Sequence, residues 1–110
     1  MELTTAHLQQ LRALVAGGFT VISFPLFPTY IGIQKYGCAA LLEPVGGGRL
    51  RKFAPAGYLI EGNISALVER GGGKWFVWKS HQRRATEQLL ANLRRFEEEL
   101  DRLLARSAVV

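Results

Sequence analysis

Leucines at 8, 11 and 14 with Val15 fall three and four apart and make one apolar stripe, which predicts a helix from Thr4 or Thr5 to Ala16 that stops at Gly17-Gly18. Phe19 to Phe24 is rich in β-branched and aromatic residues and predicts a buried strand, broken by Pro25-Leu26-Phe27-Pro28. A second extended run starts at Thr29, where a period of two sets Ile31 and Ile33 on one side and Tyr30, Gln34 and Tyr36 on the other. Cys38 to Leu42, Gly46 to Gly48 and Arg49 to Phe53 form a hairpin pattern in which Leu50 faces inward and Arg49, Arg51 and Phe53 face the opposite way. Ala54 to Gly57 is expected as a loop and Tyr58 to Ile60 as a short strand. Asn63 caps an expected short helix, Ile64 to Arg70, with a strand as the alternative. Lys74 to Lys79 is a strand, with Ser80 as the N-terminal cap of a long helix.

From Ser80 to Arg106 there is no Gly or Pro, and a heptad sets in with Thr86, Leu93 and Leu100 at a and Leu89, Phe96 and Leu103 at d. The expected fold is therefore α+β: a small antiparallel β-sheet with an N-terminal helix and a long C-terminal coiled-coil (leucine-zipper) helix. Residues 1–79 form the α+β domain and residues 80–110 the oligomerisation helix. Leu89, Leu93, Phe96, Leu100 and Leu103 are the expected seam of a homodimer. Leu90 and Leu104 at e positions widen the stripe and leave a tetramer as the reserve. The competing possibility is one long helix folded back on its own sheet.

With 110 residues, 48% of them apolar, the chain is the size of one ordinary domain with a real core. Cys38 is alone and only His7 and His81 accompany it, so no disulfide, zinc site or cofactor is expected. The start MELTTAHLQQ lacks a basic n-region, which favours a cytoplasmic protein. The uncharged stretch between Arg12 and Lys35 has the length of a membrane span, but glycines and prolines divide it into strand, turn and strand. No membrane partner is expected. The glycine triplets fail the phosphate-loop pattern because Trp75 follows Lys74, and the carboxylates are scattered, so catalysis is not expected.

The formal charge of +5 changes the picture through its placement: residues 35 to 84 hold nine basic and three acidic residues. That excess sits among aromatics. Trp75 and Val77 share one face of their strand, Phe76 and Trp78 the other, so one face lines the core and the other meets a helix or a ligand. Bases stack on aromatic rings while Lys and Arg follow phosphates, a mixture that suits single strands. The candidate nucleic-acid-binding set is Tyr30, Gln34, Lys35, Tyr36, Arg49, Arg51, Lys52, Phe53, Lys74, Phe76, Trp78, Lys79, Arg83 and Arg84. Arg83 and Arg84 are expected in the first turn of the long helix, where exposed amides and guanidinium groups bind phosphate together. The alternative there is an Arg83–Glu87 pair at i,i+4.

An aromatic and basic β-region followed by a zipper helix, with EGNISALVERGGGKWFVWKS leading into QLLANLRRFEEELDRLL, resembles the ThermoDBP-like single-stranded nucleic-acid-binding proteins of archaea. The resemblance implies a thermophilic, archaeal-type protein in which a hydrophobic cleft flanked by basic residues takes single-stranded DNA or RNA and a zipper joins protomers. The rival expectation is a homo-oligomeric scaffold whose aromatic face buries a protein partner.

Overall fold

The computed structural model describes residues 3–108. Helix α1 (Thr5–Ala16) begins at Thr4, whose Oγ1 accepts the His7 backbone N–H at 3.2 Å while His7 Nδ1 accepts the Thr4 N–H at 3.0 Å, a capping box closed by histidine. The other ring nitrogen of His7 donates to the Val45 carbonyl at 3.0 Å, so the cap also fastens α1 to the sheet. Gln10 extends the tie: its amide donates to the Leu104 carbonyl at 3.3 Å and its carbonyl oxygen accepts the Leu50 N–H.

Five antiparallel strands form a meander: β1 (Thr20–Ile22), β2 (Ile31–Lys35), β3 (Cys38–Val45), β4 (Arg49–Ile60) and β5 (Asn63–Ile64). A second sheet of three antiparallel strands contains β6 (Ala66–Arg70), β7 (Gly73–Trp78) and β8 (His81–Arg84). Strands stand where a loop and a short helix are expected. Ala54 to Gly57 lies inside β4, as a bulge at which Ala39 pairs with Gly57 and Leu41 with Phe53; the extra residues are absorbed by a left-handed Ala54 at φ 63° and by Pro55, which has no N–H to leave unpaired. Ile64 to Arg70 takes the strand alternative because Val68 and Leu67 pair with Trp75 and Phe76 across the Gly71-Gly72 turn.

Helix α2 (Glu87–Ala108) is 22 residues long and starts later than the sequence suggests. Lys79 adopts φ 53°, reverses the chain, and sends His81 to Arg84 back along β7; Thr86, not Ser80, is the cap, its Oγ1 accepting the Leu89 N–H at 3.3 Å. The expectation of a coiled coil is overturned. Leu93, Phe96 and Leu100 are buried in the chain's own core with Leu14, Phe19, Ile33, Leu42 and Leu50, and Leu89, Leu90, Leu103 and Leu104 pack against that same cluster. Phe96 meets Phe19 edge-on at 5.5 Å. A heptad and a wide amphipathic stripe share their three-and-four spacing, and here the partner of the stripe is the sheet. Positions 109 and 110 of the expected helical region lie outside the described residues.

Both helices cover one face of the five-stranded sheet. The other face carries a smaller cluster of Phe24, Ala39 and Leu41, over which the segment between β1 and β2 folds; a side chain at Gly32 would collide with the Phe24 ring. Among the described residues no helix is long and apolar enough to cross a membrane.

Candidate functional site

The cations expected to serve a ligand divide between two environments. On the large sheet all but Arg49 are held by carboxylates. Lys35 Nζ donates to Glu99 and to the Gly17 carbonyl, both at 2.6 Å, and Tyr36 donates its hydroxyl to the second Glu99 oxygen at 2.6 Å. Hydrogen bonds from Lys35 and then Tyr36 hold the Glu99 carboxyl below the usual range, and the bond to Glu99 raises the Lys35 ammonium above its own. Arg95 adds a contact to Glu99 at 3.2 Å and lies over the Tyr36 ring. Lys52 sits 3.4 Å from Glu97 and 3.7 Å from Asp101, and Arg51 reaches across to Glu43 on the neighbouring strand, Nε to Oε1 2.9 Å. Gln34 is half-buried within β2, and Arg49 is exposed at the start of β4. Tyr30 stacks on Phe53, ring centroids 4.4 Å apart.

The small sheet differs. Lys74, Lys79, Arg83 and Arg84 are exposed and make no ion pair among the described residues. Three of them lie over aromatic rings: Arg84 over Trp75 at 5.6 Å, Lys79 over Trp78 at 5.4 Å and Arg83 over Tyr58 at 5.8 Å. Register assigns the faces. Trp75 pairs with Val68 and Arg84, Val77 with Ala66 and Gln82, and Arg70 with Gly73, so these side chains share the outer face, where Trp75, Val77 and Val68 remain half-exposed. Phe76 faces the other way, 0% exposed and edge-on to Tyr58 at 5.0 Å, which removes it from any ligand surface. Arg83 and Arg84 stand in β8 rather than in a helical first turn, so neither the shared phosphate site at a helix start nor the i,i+4 pair with Glu87 is formed.

Trp75 is the residue that the candidate set lacks. A period of two separates its face from that of Phe76 and Trp78 but is symmetric between them, and only the packing of Phe76 onto Tyr58 breaks the tie. The pairing of Trp75 with Arg84 was hidden for a different reason: the reversal at Lys79 is made by a non-glycine residue in a left-handed conformation.

Between the two sheets lies an apolar cleft of about 420 Å³, walled by Phe24, Phe27, Leu41, Phe53, Leu67 and Trp78 and reached by Leu93 and Glu97 of α2. Asn63 and Ser65 also border it, Ser65 being committed to the Tyr58 carbonyl through Oγ at 2.7 Å. Its lining includes Phe53 and Trp78 from the candidate set but no Lys or Arg, so aromatics and cations do not converge in one cleft. Compared with protein-family models, curated proteins and solved structures, the chain matches none. Cys38 is fully buried, and burial pushes its thiol up to about 11, which keeps it neutral at ordinary pH.

Proposed function

We propose that this protein binds single-stranded nucleic acid with little sequence preference, on the outer face and rim of the small sheet. The observation that carries the reading is the set of cations on β7, β8 and the turn between them that make no ion pair among the described residues, three of which lie over aromatic rings. A base sliding over Trp75 displaces the Arg84 guanidinium, which is then free to meet the adjacent phosphate, and Arg70, Lys74, Lys79 and Arg83 supply further phosphate contacts along the rim. Of the features that carry the resemblance to ThermoDBP-like proteins, the aromatic and basic β-region supports the same ligand class; the zipper does not.

Fluorescence anisotropy of labelled single-stranded DNA, single-stranded RNA and duplex DNA over a salt series tests it. Single strands are expected to bind more tightly than duplex, with affinity falling steeply as salt rises through counterion release. Absence of single-strand binding at low salt overturns the proposal. The half-exposed row of Val68, Trp75 and Val77 favours a second reading, a protein partner docked on the same face, whose affinity is expected to depend little on salt.

A further inference from the structure

Seven large apolar side chains are exposed on the described surface, and three of them, Phe27 at 39%, Phe53 at 37% and Leu67 at 43%, line the cleft between the sheets. Gathering exposed apolar side chains in a concave site is the pattern of a binding site rather than of ordinary surface scatter. Its charge is the reverse of what a phosphate backbone needs: Glu97 is the sole ionisable group of the lining among the described residues. We infer that this cleft is a second, separate ligand site, for a flat apolar molecule that carries a positive charge, such as an arylalkylammonium.

The ring system lies between Phe27, Phe53 and Trp78, and the ammonium points at Glu97. Glu97 is available for that role because its present partner is loosely shared: Lys52 is 3.4 Å from Glu97 and 3.7 Å from Asp101, so giving up Glu97 leaves Lys52 its second carboxylate. Trp78 already carries one cation, Lys79 at 5.4 Å, and Phe53 is stacked by Tyr30, so the ligand's charge is directed to Glu97 rather than to those ring faces. The inference rests on the cleft lining and not on nucleic-acid binding, whose stacking pair Trp75 and Arg84 lies on the opposite face of β7 and β8; Lys79, over Trp78, borders both surfaces.

Isothermal titration calorimetry at pH 7 with 1-naphthylmethylammonium and with 1-naphthoate, which share a ring and differ in charge, tests it on the whole protein. The ammonium is expected to bind about tenfold more tightly than the carboxylate, the sum of one weak attraction and one weak repulsion at a half-exposed carboxylate. Glu97→Gln should bring the two affinities together while thermal unfolding confirms an intact fold, and Leu67→Glu, a charge placed in the apolar wall, should lower the affinity of the neutral probe naphthalene. No binding of either charged probe, equal affinities in the unaltered protein, or a preference that survives Glu97→Gln overturns the inference.

Discussion

The two sheets carry similar numbers of cations and use them in opposite ways. On the five-stranded sheet Lys35, Arg51 and Lys52 each face a carboxylate, and their charge is consumed in fastening α2 and neighbouring strands. On the three-stranded sheet Arg70, Lys74, Lys79, Arg83 and Arg84 face Glu69 alone in the strand sequences and no ion pair is formed among the described residues. A net charge counted along the chain mixes the two populations; availability for a partner depends on what stands across the strand or across the helix.

The sharpest way to break this contrast is to attack what holds the large sheet together. Phe96→Ala is expected to cost about 3–5 kcal/mol, as for a fully buried ring, and to lower the unfolding midpoint in denaturant. An equally stable protein of lower mass by light scattering would instead return the seam to an intermolecular role. On the small sheet Trp75→Ala should leave stability nearly unchanged and weaken single-strand binding by about 1–3 kcal/mol, roughly five- to 150-fold, in anisotropy titrations. Loss of the fold without a specific binding defect would mark Trp75 as a packing residue.

Much of the large sheet and its covering helices was legible in the chain, and the way the rest escaped is instructive. Helix α1, the hairpin from Ile31 through Leu42 and the strand expected at 74–79 and found at 73–78 come from periodicity and from glycine stops, whereas Phe19 to Phe24, expected as a buried strand, gives only the short exposed edge strand β1, with Phe19 and Phe24 buried on either side of it. Leu93, Phe96 and Leu100 were readable as one apolar stripe, but a stripe does not say what covers it, and the sheet competes for it at far higher effective concentration than a second chain does. Residues 54 to 57 looked like a loop because Pro and Gly usually end strands, whereas here they shape a bulge within one. Lys35 and Tyr36 looked like ligand contacts because Glu99 lies 64 residues from Lys35 in sequence.

A smaller effect sharpens the paired side. Glu99→Gln removes the charge that Lys35 and Tyr36 address, at about 1–2 kcal/mol for a partly wetted charged hydrogen bond. Because the Glu99 carboxyl is held below its unfolded value near 4.3, its contribution is present above that pH and lost as pH falls through the lower folded value; the raised Lys35 contributes below about 10.4 and is lost as pH rises through its folded value. Melting temperature against pH should therefore lose its acid-side slope in the variant, and an unchanged slope would deny Glu99 this role. Smallest of all, Arg51→Ala should cost under about 1 kcal/mol and leave strand binding within error, since the Arg51–Glu43 pair is exposed; a large binding loss would extend the interface onto the large sheet.

The side chain of Gln10 spans 40 residues to Leu50 and 94 to Leu104. The hairpins β2–β3, β6–β7 and β7–β8 each close over a handful of residues, so they can assemble while the chain ends are still far apart, and the loop that joins α1 to α2 closes at the greatest entropic cost. Folding should thus finish where Gln10 sits, with the amides of β7 protected from hydrogen exchange before those of α1, and opening should begin by undoing that same three-way junction.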